Sequence, residues 1–323
     1  MNDAAALVDG VRTGSRRAIG RAITAVENGG DSGRAVLAAV SAHAGDAIRL
    51  GITGPPGVGK STLISSLVAA RRAAGQTVAV VSVDPTSPFS NGAVLGDRIR
   101  LVDHFTDPGV FIRSMASRGQ LGGVSLGTAS AMTVLEAAGF DIVIVETVGA
   151  GQNEVEIRSI TDTVALVLMP GSGDGVQALK AGVMEIPDVL VINKADHPAT
   201  PQLRAELRAA MRLIPHDGWQ VPVCETRANT GAGIDDLWDA VLAHRYALGD
   251  EGLRERRADG MRSRLRSMAL DRLGRRLDAA CPAPLLDELA SQVVGGGTAP
   301  DVAVDRMLAR FARGDDRGAL SDR

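Results

Sequence analysis

The chain has 323 residues, with 35 basic and 38 acidic side chains for a net charge of −3, and is 45% hydrophobic but only 2% aromatic. That length suits one large α/β domain with appendages or two modest domains, and the composition excludes a disordered or fibrous chain. Balanced charge gives no global attraction to nucleic acid or to an anionic membrane surface, and Cys224 and Cys281, too few and too far apart for a disulfide framework or zinc cluster, point to a reducing, cytoplasmic setting.

In chain order, the start carries Asp3 and Asp9 where a signal peptide needs a basic start and an apolar run, and no apolar stretch reaches membrane-spanning length. Residues 1–46 read as an N-terminal helical extension. Ile19, Ile23, Val26, Val36, Leu37 and Val40 fall at helical spacing, and the break at residues 29–33 predicts a helical hairpin. Over 47–246 short β-branched runs (50–52, 78–83, 142–145, 164–168 and 189–192) alternate with helical segments. Runs apolar on both faces are buried parallel strands, so an α/β, doubly wound, mostly parallel sheet is expected. Residues 247–323 form a helical arm: an Arg-rich helix over 253–279 with Met261, Leu265, Met268, Leu273 and Leu277 in a stripe, then two shorter helices around residues 295–297. The stripe lies either against its own domain with solvated arginines or against a second copy or partner. Interleaved acids and the lack of aromatics argue against RNA.

Gly54-Pro55-Pro56-Gly57-Val58-Gly59-Lys60-Ser61, with Thr62 closing the nucleotide-binding segment, matches G-x-x-x-x-G-K-[ST] between a predicted strand and a predicted helical run through Ala74. Glycines let backbone N–H groups face phosphate oxygens, Lys60 adds a point charge for the β- and γ-phosphates, and the Ser61 hydroxyl is a Mg²⁺ ligand. A dinucleotide fingerprint is excluded, because it needs Gly at Thr62. The predicted strand ending in Glu146 delivers a Walker-B carboxylate, and Gly149 offers an N–H to the γ-phosphate. Asp84, closing another strand, and Asp97 are further carboxylates for the metal or the attacking water. Asn193-Lys194-Ala195-Asp196, at the end of an apolar strand, matches N-K-x-D. The Asp196 carboxylate accepts from guanine N1–H and N2–H, which adenine lacks, Asn193 orders the loop and faces the base, and the Lys194 stem lies along it. Lysine occurs three times, at 60, 180 and 194. Two of the three stand in nucleotide motifs, which makes Lys180 suspect in a chain that otherwise uses arginine.

These motifs resemble the SIMIBI-class P-loop GTPases and, within them, the methylmalonyl-CoA mutase-associated MeaB family, also called ArgK or LAO/AO transport kinase. Residues 51–62, 83–89, 92–98, 146–152 and 184–188 carry the likeness. The resemblance implies a homodimeric, Mg²⁺-dependent GTPase that cycles between GTP and GDP. Its partner would be an adenosylcobalamin-dependent acyl-CoA mutase, whose cofactor loading and protection it gates. Asp84, Asp97 and Glu146 match the family's metal and switch carboxylates, Gln152 falls near the water, and Lys180 matches a contact in the third switch. Two positions depart from the pattern: Arg227-Ala228 stands where Ser-Ala is expected, which keeps a backbone N–H for guanine O6 but loses a hydroxyl, and Gly175-Val176 replaces larger or acidic residues. Alternative readings are a nickel or cobalt metallochaperone GTPase, which would need Cys/His clusters that the sequence lacks, a small-molecule kinase, or a nucleotide-gated binding module.

Overall fold

The computed structural model describes residues 2–84, 101, 103–116, 126–147, 156–172, 187–212 and 218–318. The chain divides into two compact units, 1–261 and 262–323. The N-terminal extension holds three helices rather than a hairpin: α1 (Asn2–Arg12), α2 (Arg16–Asn28) and α3 (Gly30–Ser41). The extra break comes from Gly14, at φ +75°, and Ser15, whose hydroxyl caps α2 by accepting from the Ala18 N–H. Ile19, Ala22, Ile23 and Val26 give α2 a buried face, which packs on α5 (Leu126–Ala137).

Among the described residues, β1 (Ile48–Thr53), β2 (Val78–Asp84), β3 (Val110–Ala116), β4 (Ile142–Thr147), β5 (Thr163–Leu168), β6 (Val189–Asn193) and β7 (Val223–Thr226) form one sheet in the order β3-β2-β4-β1-β5-β6-β7. Every pairing is parallel. Sequence periodicity misses β3, because as an edge strand it carries Arg113 and Ser114 inside its apolar run. Side chains alternate between two cores. Val143, Val145, Leu190 and Ile192 face one, shared with α2, α5 and α6 (Thr200–Met211). Ile142, Ile144, Val189 and Val191 face the other, with Leu63 and Leu67 of α4 (Lys60–Ala73) and Leu237 and Trp238 of α7 (Ile234–Ala280). Each fully buried Leu or Ile contributes about 1.5–3 kcal/mol.

The register pairs Ile52 with Glu146 and Ser82 with Glu146, so β1, β4 and β2 end side by side. Thr53, Glu146 and Asp84 thereby arrive at one edge of the sheet, where open α/β sheets bind ligands.

At the opposite edge, Asp162 and Asp188 immediately precede β5 and β6, and both are buried. Arg257 donates from Nε and Nη2 to Asp162 at 2.8 and 2.7 Å, and Arg245 adds a bond of 3.1 Å. Arg256 grips Asp188 through both terminal nitrogens at 3.0 and 2.5 Å. Each carboxylate also accepts from backbone, Asp162 from Arg49 N–H and Asp188 from Val164 N–H. Arg256 and Arg257 are therefore not the solvated charges that one reading of the Arg-rich stretch supposed. His244, also buried, faces Asp188 at 3.4 Å and the Thr163 hydroxyl at 2.9 Å, an arrangement satisfied by a neutral imidazole protonated on Nε2. Burial holds its pKa below the ordinary value, aided by Arg256 and Arg158 and opposed by Asp188, whose charge Arg256 already meets.

Within the second unit, α8 (Ala283–Val294) begins after Pro282 and stops at Gly295, and α9 (Pro300–Gly318) follows. Helix–helix contacts there include the Cys281 thiol donating to Met307 O at 3.7 Å, Arg306 bonded to Gln292 at 2.9 Å, and the Arg276 guanidinium 5.7 Å from the centre of the Phe311 ring. The helix α7, whose residues cross the boundary at 261, contains a non-helical Gly249 at φ +60°. No helix among the described residues is long and apolar enough to cross a membrane.

Candidate nucleotide site

The loop between β1 and α4 owes its path to two glycines. A Cβ on Gly54, at φ +143°, would stand 2.2 Å from Val167 O, and one on Gly59, at φ +95°, 2.5 Å from Asn193 Nδ2. A Cβ at either position would collide with the Val167 carbonyl of β5 or the Asn193 side chain of β6. Lys60 opens α4 and is buried, with its ammonium donating to Gly54 O at 2.7 Å and Pro55 O at 2.9 Å. The ammonium thus bonds to the loop's own carbonyls. Pro56 and Gly57 form the exposed crest, Val58 is buried beneath it, and Thr62 points outward from the first turn.

Ser61 and Glu146 meet directly. The Ser61 hydroxyl donates to Glu146 Oε1 at 2.9 Å, the Ser82 hydroxyl lies 3.3 Å from Oε2, and all three residues are buried. Sequence reasoning omitted Ser82, although its place two residues before Asp84 on β2 puts it opposite Glu146. Thr147 donates to Thr53 at 2.9 Å, tying the ends of β4 and β1 together. A carboxylate and a hydroxyl at the helix N-terminus are hard oxygen donors of the kind Mg²⁺ takes, so the residues present fit that ion.

The base loop interlocks with the phosphate loop. Asn193 donates to Val58 O at 2.9 Å, while its Oδ1 accepts from the Thr226 hydroxyl at 3.1 Å and from the Ala228 N–H at 3.2 Å. The Ala228 N–H assigned to guanine O6 thus bonds to Asn193 in this structure. Thr226 went unnoticed in the sequence, because its value lies in pairing opposite Asn193 across β6 and β7. Lys194 adopts φ +56°, rare for a residue with a side chain, and its ammonium reaches Gly57 O at 3.0 Å and Met169 Sδ at 3.3 Å. Its stem therefore spans from the base loop to the phosphate loop. Asp196 and Arg227 are exposed beside it. Cys224, on β7, has its thiol pushed up to about 11 by burial and offers no thiolate nucleophile at neutral pH.

Asp84 closes β2 at this edge. Asp97, Gly149, Gln152 and Lys180, and the Gly175-Val176 departure, lie outside the described residues. Of the histidines, His104 bonds to Ser65 and His244 belongs to the opposite edge, while His216 is outside the described residues.

Residues 19–281 match the model of the methylmalonyl-CoA mutase-associated GTPase family MeaB. The chain belongs to the MeaB family. A predicted GTPase of Pyrococcus abyssi is 43% identical over 95% of this chain and 97% of its own length, and the GTPase ArgK of Escherichia coli is 38% identical over 75% and 76%. A crystal structure of a LAO/AO transport system kinase superposes with a TM-score of 0.72 at 27% identity, covering 97% of this chain and 98% of that one. This MeaB-family chain is a GTPase that binds GTP and GDP and hydrolyses GTP. The P-loop NTPase fold expected from the motifs is the fold observed.

Proposed function

We propose that this GTPase is Mg²⁺-dependent and acts as a chaperone of an adenosylcobalamin-dependent acyl-CoA mutase, most closely methylmalonyl-CoA mutase. The observation that carries the catalytic half is the buried Ser61–Glu146 contact at 2.9 Å, beside a Lys60 ammonium held by loop carbonyls. Ser61 and Glu146 hold the ion with Asp84 and Asp97, and the ion when bound neutralises charge on the β- and γ-phosphates. Residues 54–62 wrap the phosphates, and Lys60 bonds the β- and γ-oxygens. Gly149 donates its N–H to the γ-phosphate, Gln152 and Asp97 orient the attacking water, and Asp196 reads guanine N1–H and N2–H. Asn193 keeps the two loops in register, Lys194 covers the base, and Arg227-Ala228 closes the pocket behind it.

The family's description, mutase-associated GTPase, supports the partner. Lys180 is the contact through which the mutase accelerates hydrolysis, and the nucleotide state gates loading and protection of the mutase in the cytoplasm. The protein works as a homodimer, a reading supported by three residues of the predicted stripe, Met261, Leu265 and Leu273, which are exposed while Met268 and Leu277 are half-buried.

The test is steady-state GTP hydrolysis, with ATP as control, alone and with methylmalonyl-CoA mutase. Stimulated GTP turnover is expected. Unchanged turnover removes the mutase as the partner, and turnover that survives removal of Mg²⁺ by chelation removes the ion.

A further inference from the structure

Along β2 the alternation of side chains puts Val78, Val80 and Ser82 on one face, and the two valines pack there in the core that includes Leu63 and Leu67 of α4. Ser82 thus stands where the pattern asks for a third apolar side chain, and it is buried. A hydroxyl withdrawn from water costs free energy unless it is bonded, and the partner described for this one is Glu146 Oε2, at 3.3 Å. Register sets the contact, because Ser82 pairs directly with Glu146 across β2 and β4.

Glutamate at the end of a metal-binding strand raises a difficulty that aspartate does not. Its side chain has one more torsion, and the terminal rotation of a carboxylate is broad, so aiming an oxygen at an ion needs restraint from outside. Two elements supply it. The Ser61 hydroxyl on α4 donates to Oε1 at 2.9 Å, and the Ser82 hydroxyl on β2 donates to Oε2. A single donor would leave the carboxylate a pivot, whereas one donor on each oxygen fixes its rotation. Ser61, Ser82 and Glu146 are each at most 3% exposed, so solvent competes little for these bonds.

We propose that Ser82 is a positioning residue for the Mg²⁺ site: it holds one oxygen of Glu146 so that the other stays turned towards Ser61. The assignment rests on the reading of Ser61 and Glu146 as Mg²⁺ ligands. Ser82 touches neither ion nor nucleotide in this role and acts through the carboxylate alone. Hydrogen bonds that orient a metal-binding side chain are worth about 10–100-fold in metal affinity or activity.

The test measures affinity of the full-length protein for the GTP analogue guanylyl imidodiphosphate by calorimetry, in EDTA and over a series of Mg²⁺ concentrations. Wild type is compared with Ser82→Ala, Ser82→Thr and Ser82→Val, and urea denaturation reports that each variant is folded. Threonine and valine differ by a hydroxyl at nearly equal volume, so that pair separates the donor from the space it fills. In Ser82→Ala and Ser82→Val the Mg²⁺ concentration giving half of its effect on affinity should rise about tenfold, while affinity in EDTA stays within about twofold of wild type. Ser82→Thr should keep the wild-type Mg²⁺ requirement. Where the larger side chains unfold the protein, Ser82→Ala decides alone. An unchanged Mg²⁺ requirement in folded Ser82→Ala overturns the proposal, as does a loss of affinity that is equal with Mg²⁺ and in EDTA, or a Ser82→Thr loss as large as that of Ser82→Val. Wild-type affinity indifferent to Mg²⁺ removes the ion itself, and this role of Ser82 with it, before any variant is compared.

Discussion

The two edges of the sheet handle buried charge in opposite ways. Where β1, β4 and β6 end, the hydrogen bonds described for Lys60 run to carbonyls of its own loop, those described for Glu146 involve hydroxyls, and Asn193 bonds to a hydroxyl and two backbone groups. Where β5 and β6 begin, Asp162 and Asp188 are each gripped by a forked guanidinium and by a backbone N–H. Neutral partners are exchanged for phosphate or metal at modest cost, whereas a buried ion pair resists exchange because either charge left alone is severely penalised. On the proposed function, one end of the sheet changes partners and the other keeps them.

The largest effect that would test this contrast is on stability. Asp162→Ala leaves Arg257 and Arg245 facing a buried gap and is expected to cost about 3–5 kcal/mol in urea denaturation, with GDP affinity of the folded protein unchanged. A loss below about 1 kcal/mol would show that this edge is not an anchor. Next in size, Lys60→Ala should weaken GTP and GDP binding on the order of 100-fold while stability moves by about 1 kcal/mol, measured by nucleotide titration and urea denaturation together. Asp196→Asn sharpens the assignment within the site: GTP should weaken about tenfold or more relative to xanthosine triphosphate, and a retained preference for GTP would remove Asp196 from base reading.

The smallest effect concerns pH. Burial lowers the His244 pKa in the folded protein, so the unfolded chain binds the proton more readily. Its contribution is complete above the ordinary histidine value of 6.5 and is lost as pH falls from there towards the depressed folded value. His244→Gln should flatten that part of the stability curve, measured by urea denaturation across pH, and an unaltered slope would assign it to other groups.

Much of the site was legible because its chemistry is written in short contiguous motifs. A Gly-rich loop, a strand ending in Glu146 and N-K-x-D each carry their geometry locally, and five apolar runs announced buried strands. The edge strand β3 was illegible, since Arg113 and Ser114 sit where burial on only one side tolerates polarity. Ser82 and Thr226 were missed for a different reason. Each acts only through a neighbour on another strand, Ser82 opposite Glu146 and Thr226 opposite Asn193, and no spacing within a segment reveals cross-strand register.

The arginines mark the same boundary. Composition made the region after residue 250 basic and periodicity made it helical, but both properties are shared by solvated and buried guanidiniums. Which of them are spent inside the molecule was decided when β5 and β6 presented Asp162 to Arg257 and Asp188 to Arg256. The sequence by itself determined the P-loop, the nucleotide base motif and the parallel α/β pattern, because these depend on backbone freedom and local periodicity. Tertiary structure alone decided which charges are anchors and how the two nucleotide loops are locked together, because each depends on contacts between residues far apart in the chain.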